Sequence, residues 1–99
     1  MAYSKVDYKF VRFVKSDRKG KKYKAILKNK KTGREVGVHF GAIKPDGTPY
    51  EQYKDNTGLG LYTRYNHNDK QRRKRYQERH KNDNLTDYTP GYFAYRYLW

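Results

Sequence analysis

Two runs and the loop between them decide the fold: Lys22–Lys28 (KYKAILK), Asn29–Gly33 (NKKTG) and Arg34–Phe40 (REVGVHF). In the first run Tyr23, Ala25 and Leu27 share one parity and Lys24, Ile26 and Lys28 the other, as in a strand with one face turned to a core. The second alternates more cleanly, with Val36, Val38 and Phe40 facing in and Glu35, Gly37 and His39 facing away. Between them, NKKTG closes on Gly33 as a hairpin loop does. Upstream, Lys5–Val14 (KVDYKFVRFV) puts Tyr8, Phe10 and Val14 on one parity and Val11 and Phe13 on the other. That suits a strand covered on one face and partly on the second. SDRKGKK, with Gly20, turns the chain from this strand into the next. Three consecutive strands joined by short turns predict an antiparallel meander over residues 5–40, with the lysines on its solvent side and in its turns.

The periodicity stops after this. Pro45, Gly47, Pro49, Gly58 and Gly60 punctuate the next stretch, so residues 41–66 read as a long irregular loop, with Tyr50 and Tyr53 placed to pin it to the sheet. Lys70–Lys81 (KQRRKRYQERHK) then predicts a basic helix over residues 68–82. Asn68 and Gln71 form an Asn variant of the capping box, and Asp69 in the first turn suits the helix dipole. The only aromatic residue of this helix is Tyr76, and Arg72, Arg73, Arg79 and His80 lie three and four positions from it. Such a helix has no broad apolar stripe, so it is either solvated or packed against a partner. Over residues 89–99, Thr89 and Pro90 make an N-cap and N1 pair, and a short helix would gather Phe93, Ala94, Tyr97 and Leu98. The alternation Phe93, Tyr95, Tyr97, Trp99 also suits a strand; the helix is the reading adopted. Residues 1–99 are thus expected to form a single small α+β domain: a three-stranded meander, a basic helix and a short aromatic C-terminal helix.

The chain has 24 Lys+Arg against 10 Asp+Glu, a formal net charge of +14 over 99 residues. Lys5–Lys31 carries a net +10 and Arg64–Lys81 a net +6, while the remainder is −2. Leu, Ile, Val and Phe number only 16, which points toward disorder, but 12 Tyr and one Trp point the other way. A thin core built from rings is expected, without a deep enclosed pocket. No run of apolar residues is long enough for a transmembrane helix, and Met1–Phe10 has no apolar signal segment, so neither a membrane span nor secretion is expected. Zero cysteines exclude disulfides and thiolate metal sites, leaving His39, His67, His80 and scattered carboxylates.

Arg72, Arg73, Lys74, Arg75 and Arg79 are the sharpest functional candidates. Guanidinium groups bind phosphate or carboxylate through two parallel hydrogen bonds, and charges of one sign lack the alternating pairs that stabilise an exposed helix. The sheet lysines Lys21, Lys22, Lys24 and Lys28 extend that positive surface, or serve solubility alone. Tyr92, Phe93, Tyr95, Tyr97 and Trp99 are the candidate interface aromatics; they close the small core, dock onto another protein, or stack bases. Trp99, where a chain usually frays, wants a pocket of its own or of a neighbour. His67 with Asp69, and Glu78 with His80, are spaced i, i+2, which separates them on a helix, and no helical zinc pair or phosphate-binding glycine loop is present. Catalysis, a metal, a cofactor and a small-molecule substrate are therefore not expected.

The order of motifs His-Phe-Gly-Ala (His39–Ala42), Tyr62-Thr63, His-Asn-Asp (His67–Asp69), Arg72–Arg75, Tyr-Gln-Glu-Arg-His (Tyr76–His80), Gly91 and Leu98-Trp99 resembles a family of small basic proteins of large nucleocytoplasmic DNA viruses of the chlorovirus, mimivirus and marseillevirus kind. The likeness covers roughly Lys22–Trp99 and departs between Ile43 and Gly60, where the family has a short connector. It implies a non-enzymatic protein located in the virion and made in the host cytoplasm or nucleus. Such a protein is a minor capsid component seated against the major capsid protein or other virion proteins, or else a binder that condenses double-stranded DNA through its phosphates.

Overall fold

The computed structural model describes residues 3–99. Strands β1 (Tyr8–Lys15), β2 (Lys21–Asn29) and β3 (Glu35–Ala42) form one antiparallel sheet in the order β1-β2-β3. A short 3-10 helix (Thr63–Tyr65) precedes helices α1 (Lys70–His80) and α2 (Pro90–Tyr97). The fold is α+β, with the meander and both helices where the residue pattern places them.

The β2–β3 register pairs Tyr23 with Phe40, Ala25 with Val38 and Leu27 with Val36, so the apolar parities of both strands meet on one face. β1 departs from simple alternation. Its register slips between Phe10, opposite Leu27, and Arg12, opposite Ile26, so Val11 is the extra residue of a bulge. The bulge resets the phase of the strand. Phe10 and Phe13, of opposite parity, both turn to the core, with centroids 4.6 Å apart, and Val11 is left exposed.

Helix α2 covers this inner face. Thr89 accepts from the Tyr92 amide at 3.0 Å and Pro90 occupies the first turn, the start expected from the sequence. The helix buries Phe93 completely and places Leu98, just past its end, in the same core. The Phe93 ring packs among those of Phe10, Phe13, Phe40, Tyr88, Tyr92 and Tyr97, at centroid distances of 5.0–6.1 Å. Offset and edge-to-face ring pairs of this kind add to the hydrophobic term.

Residues 43–69 are irregular in path yet closely bonded. A bridge between Ile43 and Pro49 closes a tight turn. Gln52 has no exposed surface: its side chain accepts from Lys22 Nζ at 2.8 Å and donates to the Tyr62 carbonyl (3.1 Å) and to Asn66 Oδ1 (2.8 Å). The amides of Tyr53, Lys54 and Asn56 donate to the carbonyls of Leu98 and Tyr97, satisfying oxygens that the end of α2 leaves open. The Tyr23 hydroxyl donates to Asp55 and accepts from the Leu61 amide.

The expected Asn68 cap of α1 is corrected by the structure. Asn68 has φ 54°, in the left-handed region, and Asp69 is the N-cap, its carboxylate accepting from the amides of Gln71 (3.0 Å) and Arg72 (3.3 Å). The left-handed residue reverses the chain just before the helix, which puts the cap one position later; the helix spans 70–80 rather than 68–82.

Truncation of the central ring, Phe93→Ala, is expected to cost about 3–5 kcal/mol, a large share of the total stability of a small domain. Urea unfolding of the two proteins measures it.

Candidate functional site

Helix α1 has two unlike faces. On the inner one, the Tyr76 ring stacks on Trp99 at 4.3 Å with an interplanar angle of 4°, and Arg73 Nε donates to the Trp99 main-chain oxygen at 2.7 Å. The Arg73 guanidinium also lies over the Tyr53 ring at 4.8 Å, and Arg72 pairs with Glu51 at 3.3 Å. The expectation of a helix with nothing to hold it to the core is thereby corrected. One ring stack and a few charge-assisted bonds replace the missing apolar stripe. On the outer face Lys70, Lys74 and Arg75 are exposed, as is Arg79 on the side of Arg72 and Tyr76, and none of the four has an Asp or Glu carboxylate within 4.0 Å among the described residues. Of the five helix candidates, Arg72 and Arg73 are thus engaged internally, while Lys74, Arg75 and Arg79 are open.

The sheet lysines divide as well. Lys22, expected on the solvent side, is 2% exposed, and its ammonium donates to the Tyr50 carbonyl (2.6 Å) and to Gln52 Oε1 (2.8 Å). The loop that folds back over the sheet covers it. Burial pushes its pKa down from the ordinary 10.5 to about 8, with the Asp55 charge opposing weakly. Lys24 lies across β3 at Gly37, where a Cβ would come within 2.5 Å of its Cδ, and it approaches Asp17 at 3.9 Å. Lys21 and Lys28 are half-buried at opposite ends of β2. Across the molecule, only Arg12, Lys24, Arg72 and Lys81 of the 24 Lys and Arg lie within 4.0 Å of an Asp or Glu carboxylate among the described residues.

One face of α1, α2 with the residues just past it, the start of β2, the end of β3 and the loop that follows border an open cleft of about 570 Å³. Lys21, Lys22, Lys44, Arg72 and Arg79 line it against one carboxylate, Glu51. Tyr76, Ala94, Leu98 and Trp99 form its apolar part, and Tyr50 stands at its edge with 48% exposure. Gly41 makes the floor possible: its φ is +79°, and a Cβ there would lie 3.0 Å from Lys22 Cβ and 3.2 Å from Leu98 Cδ1. A thin core argues against an enclosed cavity but leaves room for this open one. Its walls come from four separate stretches of chain, and no spacing within one stretch announces it.

The candidate aromatics sort by burial. Phe93 is corrected from interface to core, because α2 directs it onto the sheet; Tyr92, Tyr95, Tyr97 and Trp99 are half-buried around it. Trp99 is taken up by Tyr76 on one side and lies 5.2 Å from the His67 ring. His67 Nδ1 accepts from the Asp69 amide at 2.9 Å, which leaves the proton on Nε2, a buried atom with no hydrogen-bond partner among the described residues. Burial, then the charge of Arg72, holds this imidazole below its ordinary pKa. One cluster has no counterpart in sequence spacing. Ser16 Oγ lies 2.7 Å from His39 Nδ1, with Asp17 Oδ1 3.9 Å from Nε2. That carboxylate is beyond hydrogen-bond reach of the ring and Ser16 Oγ also accepts from the Arg18 amide, so the set lacks the tight histidine–carboxylate bond that orients a nucleophilic triad. No group of three or more His, Cys, Asp or Glu suited to a metal occurs among the described residues, and no helix there is long and apolar enough to cross a membrane.

Protein-family models, curated proteins and solved structures give no significant match to this chain.

Burial of Lys22 makes stability depend on pH. The folded chain releases this proton near pH 8 and the unfolded chain near 10.5, so between those values the unfolded state binds more protons. Stability therefore rises with pH across that window, by up to about 1.4 kcal/mol per pH unit from this group. Urea unfolding at several pH values should show the rise, and Lys22→Met should remove this part of it.

Proposed function

We propose that the protein is a non-catalytic binder of polyanions, whose partner is the phosphate backbone of nucleic acid contacted without regard to base sequence. The supporting observation is the scarcity of internal pairing: four of 24 cations have an Asp or Glu carboxylate within 4.0 Å among the described residues. Five of the remaining cations, Lys70, Arg73, Lys74, Arg75 and Arg79, moreover, lie along a docked helix rather than on a loose tail. With Arg72, Arg73 and Tyr76 holding the inner face, Lys70, Lys74 and Arg75 are presented outward on a fixed support. A partner with closely and regularly spaced charge suits them, and binding would be driven chiefly by counterion release. In the virion setting that the family resemblance implies, the same surface would face genome phosphates as a packaging protein. The related reading, a minor capsid component against acidic capsid surfaces, draws on the same cations and rests on that resemblance.

Fluorescence anisotropy with duplex DNA across a salt series tests this. The logarithm of affinity should fall linearly with the logarithm of salt, two duplexes of unrelated sequence should bind alike, and Lys74→Ala with Arg75→Ala should flatten the slope by up to about 0.9 per lost phosphate contact. Absence of duplex binding at low salt would exclude nucleic acid and leave the acidic-protein reading.

A further inference from the structure

We infer that the cleft between the ends of β2 and β3 and helices α1 and α2 is a binding site for a phosphorylated nucleoside, with the phosphate among Lys21, Lys44, Arg72 and Arg79 and the base against Tyr50. The site goes beyond backbone binding by the outer face of α1: Lys74 and Arg75 do not line the cleft, so the two can fail separately.

Three observations lead to it. The first is Lys22, a residue of the cleft lining whose buried ammonium is bonded only to neutral oxygens and has no carboxylate within 4.0 Å among the described residues. A buried cation whose nearest acting carboxylate, Asp55, makes no ion pair with it is costly to hold, and an anion in the cleft would add to that partial compensation. The second is the imbalance around it, with Lys21, Lys44, Arg72 and Arg79 facing Glu51 alone, and Glu51 already engaged by Arg72 at 3.3 Å. A phosphate monoester brings nearly two charges and three acceptor oxygens, enough for several of these donors at once, where a single carboxylate brings one charge. The third is the apolar remainder. The volume of about 570 Å³ lies within the range of small-ligand clefts, which combine apolar walls with a few convergent polar groups. The Tyr50 ring, half-exposed at the edge with Lys44 Nζ 5.4 Å from its centroid, offers a face for a planar base. Trp99 is already stacked on Tyr76 and serves as floor. The single tryptophan of the chain is thereby placed as a reporter.

The test is titration of Trp99 fluorescence with adenosine 5′-monophosphate, inorganic phosphate and adenosine in separate arms. The monophosphate should bind at one site and at least about tenfold more tightly than either fragment, since each fragment forfeits one set of contacts. Lys44→Ala and Arg79→Ala should each weaken it by about tenfold, the usual worth of a hydrogen bond to a charged group. Glu51→Gln should tighten it, because the competing carboxylate is gone; a misfolded variant would not gain affinity. Lys74→Ala should leave it unchanged. A short oligonucleotide carrying a 5′-phosphate that displaces the monophosphate, where its 5′-hydroxyl counterpart does not, would assign the site to strand ends, and failure of both to compete would assign it to free nucleotides. The inference is overturned if the monophosphate binds no better than phosphate, if Glu51→Gln does not tighten it, or if an acidic peptide binds the cleft while the monophosphate does not.

Discussion

A buried ammonium bonded to a buried amide organises this molecule. Lys22, near the start of the middle strand, reaches the Tyr50 carbonyl and Gln52 Oε1, and Gln52 in turn bonds to the Tyr62 carbonyl and Asn66 Oδ1. The main chain repeats the link: the Gln52 amide donates to Tyr65, and the His67 amide donates to Gln52. This junction ties the loop after β3 to the sheet on one side and to the approach of α1 on the other, alongside the bonds of Tyr23 to Asp55 and Leu61. Unsatisfied polar groups in such a place would be costly, so loss of one partner weakens the bonds of the others. The cleft depends on it, because Lys22, Tyr50 and Glu51 are walls of that cleft.

Rings do the work that aliphatic side chains do in larger domains. Phe93, Phe40 and Tyr23 are fully buried, and half-buried tyrosines surround them. Tyrosine suits a thin layer, since it covers apolar surface without needing full enclosure. The same economy extends to α1, which is attached by Tyr76 on Trp99 and by Arg73 to the Trp99 main-chain oxygen. Most of its charges therefore stay outside, which a helix embedded by a wide apolar stripe would also allow only at the expense of cationic positions.

The parts legible in the sequence are those set by local rules. Alternation in Lys22–Lys28 and Arg34–Phe40 marks β2 and β3, and the Thr89–Pro90 pair marks the start of α2, because side-chain parity and end-capping are decided by neighbours in the chain. The parts that were not legible are set by distant partners. The bulge at Val11 depends on how β1 meets β2, so Phe13 changes face with no local sign. Alternation puts Lys22 outward, and only a loop returning from 28 residues further on buries it. Among the arginines of α1, those held by Glu51 and Trp99 look the same in sequence as those left open. A closer reading of Tyr76, the single ring in a charged helix, together with the terminal Trp99, is the one clue that points to their stack.

The protonation of Lys22 in the intact protein, followed by side-chain NMR of its ammonium and neighbouring carbon through a pH series, is the most direct measurement. A midpoint near 8 is expected in the free chain, moving upward when adenosine 5′-monophosphate adds negative charge nearby. A midpoint at the ordinary value of 10.5, unmoved by the nucleotide, would mean that the ammonium is solvated. Neither the buried junction nor the anion-seeking cleft would then exist as described.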